Sequence, residues 1–285
     1  MNTDREREVA AVGAASVHVS RACFVEQFRN IEAIKKGPSV LQVGKFSMPP
    51  QLSDLRELTL DAKSAGELRH CEIGNCSVKV PPAMLDKLPL SSGGESMEQL
   101  NAVFRQALLD YVKAYLANGE SAMIVYRDKS APVSSARQFQ LLLDSWPELG
   151  KLVPDLRNVL LHPSKLPQPG MQEFLYWSKE SFESRPAITM TDVILYEPPG
   201  QEQTWVASKQ IYASHYFDAS LGVSLLRDRP SGDGVYVAYA NRSILDLLGG
   251  FFGGIKRSLI RTGLKSAVRK NLEQTVQKVE ASCGP

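Results

Sequence analysis

Five strand-like stretches follow one another in the second half of the chain, and their order limits the fold more than any other feature. Short turn signals separate them, such as Pro198-Pro199-Gly200 and Ser231-Gly232-Asp233-Gly234. Strands at this spacing with short connections are typical of an antiparallel meander. The stretches are Phe174–Phe182, Ala187–Tyr196, Thr204–Ala213, Ser220–Leu226 and Val235–Ala240. Because such a sheet buries at least one face, the sequence predicts a further element that covers it.

The C-terminal segment has the pattern of a long amphipathic helix. Within Ile244–Ala281 the apolar residues form a stripe at helical spacing, and most basic residues lie off that stripe. The stripe consists of Ile255, Leu259, Ile260, Leu264, Ala267, Val268, Leu272, Val276 and Val279. A helix of about 25 residues is about 38 Å long, which is enough to cross a sheet. We therefore expect this helix to lie across the sheet.

The order of elements resembles a known superfamily. Over about residues 120–281 the sequence predicts a strand at Ala122–Tyr126, two short helices, five strands and a long final helix. The segment Gly249-Gly250-Phe251-Phe252-Gly253-Gly254 precedes the final helix. This order resembles the helix-grip fold of the START-like (SRPBCC) superfamily, which includes lipid-transfer proteins and polyketide cyclases. The resemblance implies an α+β fold with an antiparallel β-sheet wrapped on the long C-terminal α-helix. It also implies an apolar cavity between sheet and helix that accepts a lipid or another hydrophobic small molecule.

The N-terminal third does not fit this pattern. Ser91-Ser92-Gly93-Gly94 has the composition of a linker, and a clear amphipathic helix, Met97–Ala117, follows it. We therefore divide the chain into a mainly helical accessory region, residues 1–95, and a helix-grip domain, residues 96–285. Residues 1–95 resemble only uncharacterised bacterial proteins, so they suggest no function.

Two of the four cysteines, Cys71 and Cys76, flank a Gly-Asn pair that favours a tight reversal. A disulfide between them is one interpretation; free thiols, or a metal site that uses His70, are the alternatives. A disulfide would indicate an oxidising compartment, periplasmic or secreted. The N-terminus lacks the apolar core of a leader, which indicates the cytoplasm as the sequence stands. Localisation therefore stays open.

Aromatic and basic residues in and beside the predicted strands are the candidate ligand-binding residues. Tyr and Trp can line an apolar pocket while their polar tips orient a ligand, and Lys or Arg can hold an acidic head group. Filling of the core, and placement of the basic residues at the surface, are the alternatives. The candidates are Tyr126, Trp177, Tyr196, Lys209, Tyr212, His215, Tyr216, Arg242, Phe251 and Phe252.

The segment containing Phe251 and Phe252 has glycines on both sides, which weaken a helix. Two interpretations stay open. The phenylalanines turn into the core at a helix break, or they dip into a membrane surface beside the basic C-terminal helix.

Several chemistries lack sequence support. Ser214, His215 and Asp218 are close in sequence, but neighbouring residues of a strand point to opposite faces, and no G-x-S-x-G elbow presents a nucleophile. No nucleotide, zinc-protease or calcium motif is present, so we predict no cofactor and no metal. With 33 Lys and Arg against 31 Asp and Glu, the chain is not basic enough to suggest nucleic-acid binding.

Three functions remain, ranked in this order. The first is a non-enzymatic carrier that binds, and transfers, a lipid or another hydrophobic small molecule. The second is an enzyme of the same fold, a cyclase or hydrolase on an apolar substrate, with His215 and nearby tyrosines as acid or base. The third is an envelope or interaction protein with a filled core, in which residues 1–95 bind a partner.

Overall fold

The computed structural model of the protein describes residues 7–85, 96–161, 169–182, 185–248 and 253–284, and it describes residues 253–262, 264 and 265 by their backbone only. In these ranges the chain is α+β. The strands are β1 (Glu8–Val17), β2 (Val40–Lys45), β3 (Val125–Tyr126), β4 (Val133–Ser134), β5 (Met171–Phe182), β6 (Arg185–Tyr196), β7 (Gln203–Ala213), β8 (Phe217–Asp228) and β9 (Val235–Leu245).

The helices are α1 (Arg21–Arg29), α2 (Ile31–Lys35), α3 (Ala62–Leu68), α4 (Pro82–Leu85), α5 (Met97–Asn118), α6 (Ser135–Asp144), α7 (Pro147–Leu152), α8 (Pro154–Leu161) and α9 (Gly253–Cys283). Short 3₁₀ turns lie at Leu52–Leu55, Gly119–Ala122 and Asp246–Leu248.

Seven of the described strands form one antiparallel sheet in the order β1-β9-β8-β7-β6-β5-β2. The five strands predicted from the meander pattern are therefore confirmed, as β5 to β9. The two outer strands come from the N-terminal segment. Strand β1 pairs with β9 from Glu8 opposite Ile244 to Val17 opposite Val235, and β2 pairs with β5. A boundary near residue 95 thus does not coincide with a boundary of the sheet.

Residues 46–170, here called the insert, run between β2 and β5, and their described parts (46–85, 96–161 and 169–170) cover one face of the sheet. Helix α5 begins with a capping box, in which the Ser96 hydroxyl accepts from the Gln99 N–H and the Gln99 side chain accepts from the Ser96 N–H. Its apolar stripe packs with α6, α8 and the sheet residues Leu175, Trp177 and Met190 in the larger of the two main cores. We call this side the insert face.

The opposite side of the sheet, the α9 face, is covered by α1, α2 and α9. Val17, Val193, Val206 and Val237 from four strands pack there with Phe24 and Val25 of α1 and Val279 of α9 in a second core. Helices therefore pack on both faces of the sheet, and on the insert face Val12 and Tyr236 at the β1–β9 edge stay exposed.

Helix α9 packs closely on β1 and is fixed at its C-terminal end. A Cβ at Gly13 would lie 3.3 Å from Val268 and 3.4 Å from Leu272, so the missing side chain lets the helix approach the strand. Cys283 forms a disulfide with Cys23 of α1. The second disulfide joins Cys71 and Cys76, as one interpretation of the sequence expected.

Candidate functional site

Most of the predicted ligand-binding residues lie on the insert face, away from α9. Four aromatic residues, Tyr126, Trp177, Tyr196 and Tyr212, belong to the larger core. Each is held by the insert or its neighbours: the Trp177 indole donates to the Asp54 carbonyl at 2.8 Å, and the Tyr212 hydroxyl donates to the Lys79 carbonyl at 2.6 Å.

The other two make similar contacts. The Tyr196 hydroxyl donates to Asp155 at 3.0 Å, and the Tyr126 oxygen accepts from the Ala213 N–H at 2.9 Å. In this structure these aromatics therefore fill the core between sheet and insert. Phe251 and Phe252 lie outside the described residues.

Lys209 is buried in the core, not placed at the surface. Its side chain is 0% exposed and donates to the Leu160 carbonyl at 2.9 Å. Asp192, also 0% exposed, stands directly opposite on β6 and accepts from the Tyr115 hydroxyl at 2.7 Å. Burial lowers the pKa of Lys209 to about 8, while Asp192 acts in the opposite direction. Lys209 and Asp192 are thus buried charged neighbours on facing strands beneath the insert.

Arg242 is likewise engaged on the insert face. Its guanidinium donates to Glu8 of β1 at 2.8 Å and to the Ser145 carbonyl at 2.6 Å, and it lies 5.5 Å from the ring of Trp146. These contacts join β9, β1 and the end of α6. The guanidinium therefore has structural partners in place of a ligand's acidic group.

His215 and Tyr216 occupy the turn between β7 and β8. His215 is 5% exposed, and its Nε2 lies 3.4 Å from the Ser64 hydroxyl of α3. Burial, with help from the nearby Arg185 charge, lowers the pKa of His215 to about 4. Tyr216 has a φ of 66° and donates its hydroxyl proton to the Arg185 carbonyl at 3.3 Å. His215 is thus a neutral buried ring near neutral pH.

The α9 face changes character along its strands. One half is the apolar core described above, whereas the other half carries small and polar side chains on five adjacent strands. Tyr239 is on this face because it stands opposite Gly13, beneath α9, and alternation along the strands places the remaining residues. We call this set the polar floor: Ser178, Thr191, Ser208, Gln210, Ser220, Gly222, Tyr239, Asn241 and Ser243.

Part of the polar floor is hydrogen-bonded within itself. The hydroxyls of Ser220 and Ser243 are 2.8 Å apart, and the Asn241 amide contacts both serines. In contrast, the side chains of Thr191, Ser208 and Gln210 have no hydrogen-bond partner among the residues that the structure describes. None of their polar atoms is among the buried side-chain atoms that lack a partner, so water or a ligand can reach this part of the floor.

An ion pair borders the floor on the side of α2. Lys35 of α2 donates to Glu180 of β5 at 2.7 Å and lies 5.8 Å from the ring of Tyr176. Burial alone would lower the pKa of Lys35, but the contacts with Tyr176 and Glu180 outweigh this effect and raise it. Burial alone would raise the pKa of Glu180, but Lys35 and Ser178 lower it. Burial raises the pKa of Tyr239 to about 12. These groups therefore keep one charge state near neutral pH.

A groove of about 390 Å³ lies between β1 and α9, next to the floor. Gly13 and Ala15 of β1 and the apolar residues Val268, Leu272 and Val276 of α9 line it, and Arg269 and Glu273 form an ion pair at 2.9 Å on its helix side. Since Gly13 stands opposite Tyr239, the groove and the floor are neighbours on the same face. A second cleft, of about 410 Å³, lies in the insert among α6, α7 and α8.

The described residues contain no group of three or more His, Cys, Asp or Glu side chains that suits a metal ion. Among the described helices, none has both the length and the apolar character that crossing a membrane requires.

Comparisons with known proteins add little. No family model and no curated protein matches the chain. Among solved structures, it is similar to the di-domain ARO/CYC protein StfQ of the steffimycin biosynthetic pathway, with 12% identity and a TM-score of 0.28 over 96% of this chain and 100% of StfQ. It is also similar to the di-domain ARO/CYC protein BexL of the BE-7585A biosynthetic pathway, with 11% identity and a TM-score of 0.29 over 98% and 99%. Scores this low carry no argument about the function.

Proposed function

We propose that the chain is a helix-grip protein that carries a small hydrophobic molecule with hydrogen-bonding substituents between the polar floor and α9. The element order supports the fold: a strand, two short helices and a second strand precede the insert, and five antiparallel strands and a long helix follow it. In this proposal the N-terminal strands β1 and β2 and helices α1 and α2 belong to the helix-grip fold, and the insert is the accessory part.

The observation that carries the proposal is the polar floor itself. A sheet face that only supports a helix is filled with apolar side chains, as the other half of this face is. Here Thr191, Ser208 and Gln210 lie side by side without partners among the described residues. Ligand sites are typically apolar with a few convergent polar groups. The groove between β1 and α9 lies on the same face, at the β1 edge of the sheet, with β9 and β8 between it and these three residues.

Transport or storage is favoured over catalysis. General acid–base catalysis works best with a group whose pKa lies near the operating pH. The ionisable groups beside the floor are shifted away from neutrality: the pKa of Lys35 is raised, that of Glu180 is lowered and that of Tyr239 is about 12. His215 lies in the turn between β7 and β8 and contacts the insert, not the polar floor. Among the described ionisable groups beside the floor, none is therefore an evident proton donor or acceptor near neutral pH.

The test is direct binding together with analysis of any bound molecule. The purified protein is extracted with organic solvent for mass spectrometry, and it is titrated with 1-anilinonaphthalene-8-sulfonate and with quercetin, a flat hydroxylated aromatic molecule. We expect Ser208→Leu and Gln210→Leu to weaken probe binding at least tenfold, because leucine fills the space and removes a hydrogen-bonding group. Ser53→Leu, at an exposed serine of the insert, is the matched control.

An empty extract, together with no binding of either probe, contradicts the carrier function. Equal affinities for the floor variants and the control would place the ligand elsewhere. Conversion of the extracted molecule to a product by the purified protein would indicate the enzyme alternative.

A further inference from the structure

The C-terminal end of α9 is fixed to α1 by a covalent bond. Cys283, in the last turn of the helix, pairs with Cys23, in the first turn of α1, across 260 positions of sequence. Both cysteines are half-buried, so a small reductant can approach the bond. Since α9 lies beside the polar floor, this bond controls how firmly one wall of the ligand site is held.

The other contacts at this end of α9 are weaker. Glu280 accepts from the His18 N–H at 2.9 Å, and Lys278 donates to the Ile34 carbonyl at 2.9 Å, but both pairs are near the surface. Partly exposed charged contacts add little to stability. Val279 is buried there, and Val276 and Leu272 pack half-buried against the same core one and two turns earlier. Without the disulfide, the last turns of α9 therefore depend on few contacts.

We propose that the Cys23–Cys283 disulfide is a redox-controlled clasp of the ligand site, an inference that rests on the proposed function. When the bond is oxidised, α9 stays against β1 and α1 and the ligand exchanges slowly. When it is reduced, the C-terminal turns of α9 loosen, the groove beside β1 widens, and the ligand exchanges faster. The sheet and the insert keep their structure in both states.

The reductant is a dithiol. One thiolate attacks a sulfur of the Cys23–Cys283 bond and forms a mixed disulfide, and the second thiol of the same molecule then displaces the protein sulfur. Two electrons and two protons pass to the protein, which ends with two thiols, while the dithiol becomes a cyclic disulfide.

The second disulfide provides an internal control. Cys71 and Cys76 close a short loop of the insert, and Cys71 is 1% exposed. Backbone hydrogen bonds also hold this loop: the Gly74 N–H donates to the Arg127 carbonyl at 2.7 Å, and the Cys76 N–H donates to the Asp128 carbonyl at 2.9 Å. Opening this bond leaves α9 untouched.

The experiment measures the dissociation rate of quercetin from the full-length protein by stopped-flow mixing. It compares the oxidised protein, the protein treated with dithiothreitol, the Cys23→Ser/Cys283→Ser variant and the Cys71→Ser/Cys76→Ser variant. We expect the dithiothreitol-treated protein and the first variant to release the probe at least tenfold faster than the oxidised protein. The second variant should match the oxidised protein.

Amide hydrogen exchange read by mass spectrometry tests the clasp without a ligand. Residues 268–283 should exchange at least tenfold faster in the first variant, whereas β5 to β9 should be unchanged. Equal release rates with equal exchange in α9 would overturn the clasp and leave the proposed function intact. Faster amide exchange throughout the sheet would also overturn it, because the disulfide would then stabilise the whole fold and not α9 in particular. If quercetin binds to no form, the organic extract and the second probe decide the proposed function, and hydrogen exchange alone decides whether α9 is clasped.

Discussion

The buried pair of Lys209 and Asp192 allows a quantitative prediction about stability. Both side chains are fully buried on facing strands; Lys209 donates to the Leu160 carbonyl, and Asp192 contacts the Tyr115 hydroxyl and the Glu173 carboxyl group. Removal of one member of a buried pair typically costs 3–5 kcal/mol, because the other charge is left buried without its partner. Replacement of both members by apolar residues is often close to neutral.

We expect Lys209→Met to lower the free energy of unfolding by about 3 kcal/mol, at the lower end of that range, because Asp192 keeps its bond to Tyr115. The Lys209 ammonium lies 4.5 Å and 5.5 Å from the centroids of the Phe139 and Tyr115 rings, and methionine places an apolar chain of similar length beside these rings. The double variant Lys209→Met/Asp192→Leu should recover most of the loss. It should remain about 1 kcal/mol below the parent protein, because the Tyr115 hydroxyl and the Leu160 carbonyl lose their partners.

Urea unfolding followed by circular dichroism measures these values. The two single variants and the double variant form a cycle, and the coupling energy between the two side chains should be about 2 kcal/mol or more. A Lys209→Met variant as stable as the parent protein would refute the reasoning. So would a double variant that is less stable than either single one.

Three further predictions concern local features. Desolvation and the neighbouring Asp192 carboxylate raise the pKa of Glu173 to about 8, so the folded state holds a proton that the unfolded state loses. The free energy of unfolding should therefore fall as the pH rises from 4.5 to 8. In urea unfolding, Glu173→Gln should make the midpoint depend less on pH over this range. His215 has a pKa of about 4, so its ring signals in NMR should titrate near pH 4. Between pH 6.5 and 4 only the unfolded state takes up this proton, so the contribution of His215 to stability should decrease as the pH falls through that range. Gly44→Ala would place a Cβ 2.7 Å from the Trp177 ring and should cost about 1–3 kcal/mol in thermal melts, whereas Gly66→Ala, with open space around it, should not destabilise.

The predictable part of the fold was the part with strong local signals. Strands β5 to β9 carry β-branched and aromatic residues between clear turns, and the stripe of α9 has helical spacing. Strand β1 reads EVAAVGAASV, in which small residues dilute the alternation, because Gly13 and its neighbours must let α9 approach. Its membership of the sheet depends on pairing with β9, 218 to 236 residues away, which no local pattern reveals.

The site was harder to predict than the fold. The aromatic candidates were assigned to the space beneath α9, but alternation alone does not tell which face of a sheet meets which helix when both faces are buried. A signal for the polar floor exists in retrospect: Tyr239, Asn241 and Ser243 alternate along β9, and Ser208 and Gln210 along β7. The sequence predicts Lys209 to hold a ligand's acidic group or to lie at the surface; its burial beside Asp192 is not evident, because Asp192 lies on another strand.

The ring closed by Cys23 and Cys283 has a mechanical consequence. A force applied to the two ends of the chain passes through this bond and bypasses everything between the two cysteines. Strands β2 to β9, the insert and most of α9 therefore bear no load. Strand β1 precedes Cys23, so it is the one strand of the sheet that pulling can peel away. In a force experiment the oxidised protein should extend only by the length of its N-terminal arm, and the reduced protein by the length of the whole chain.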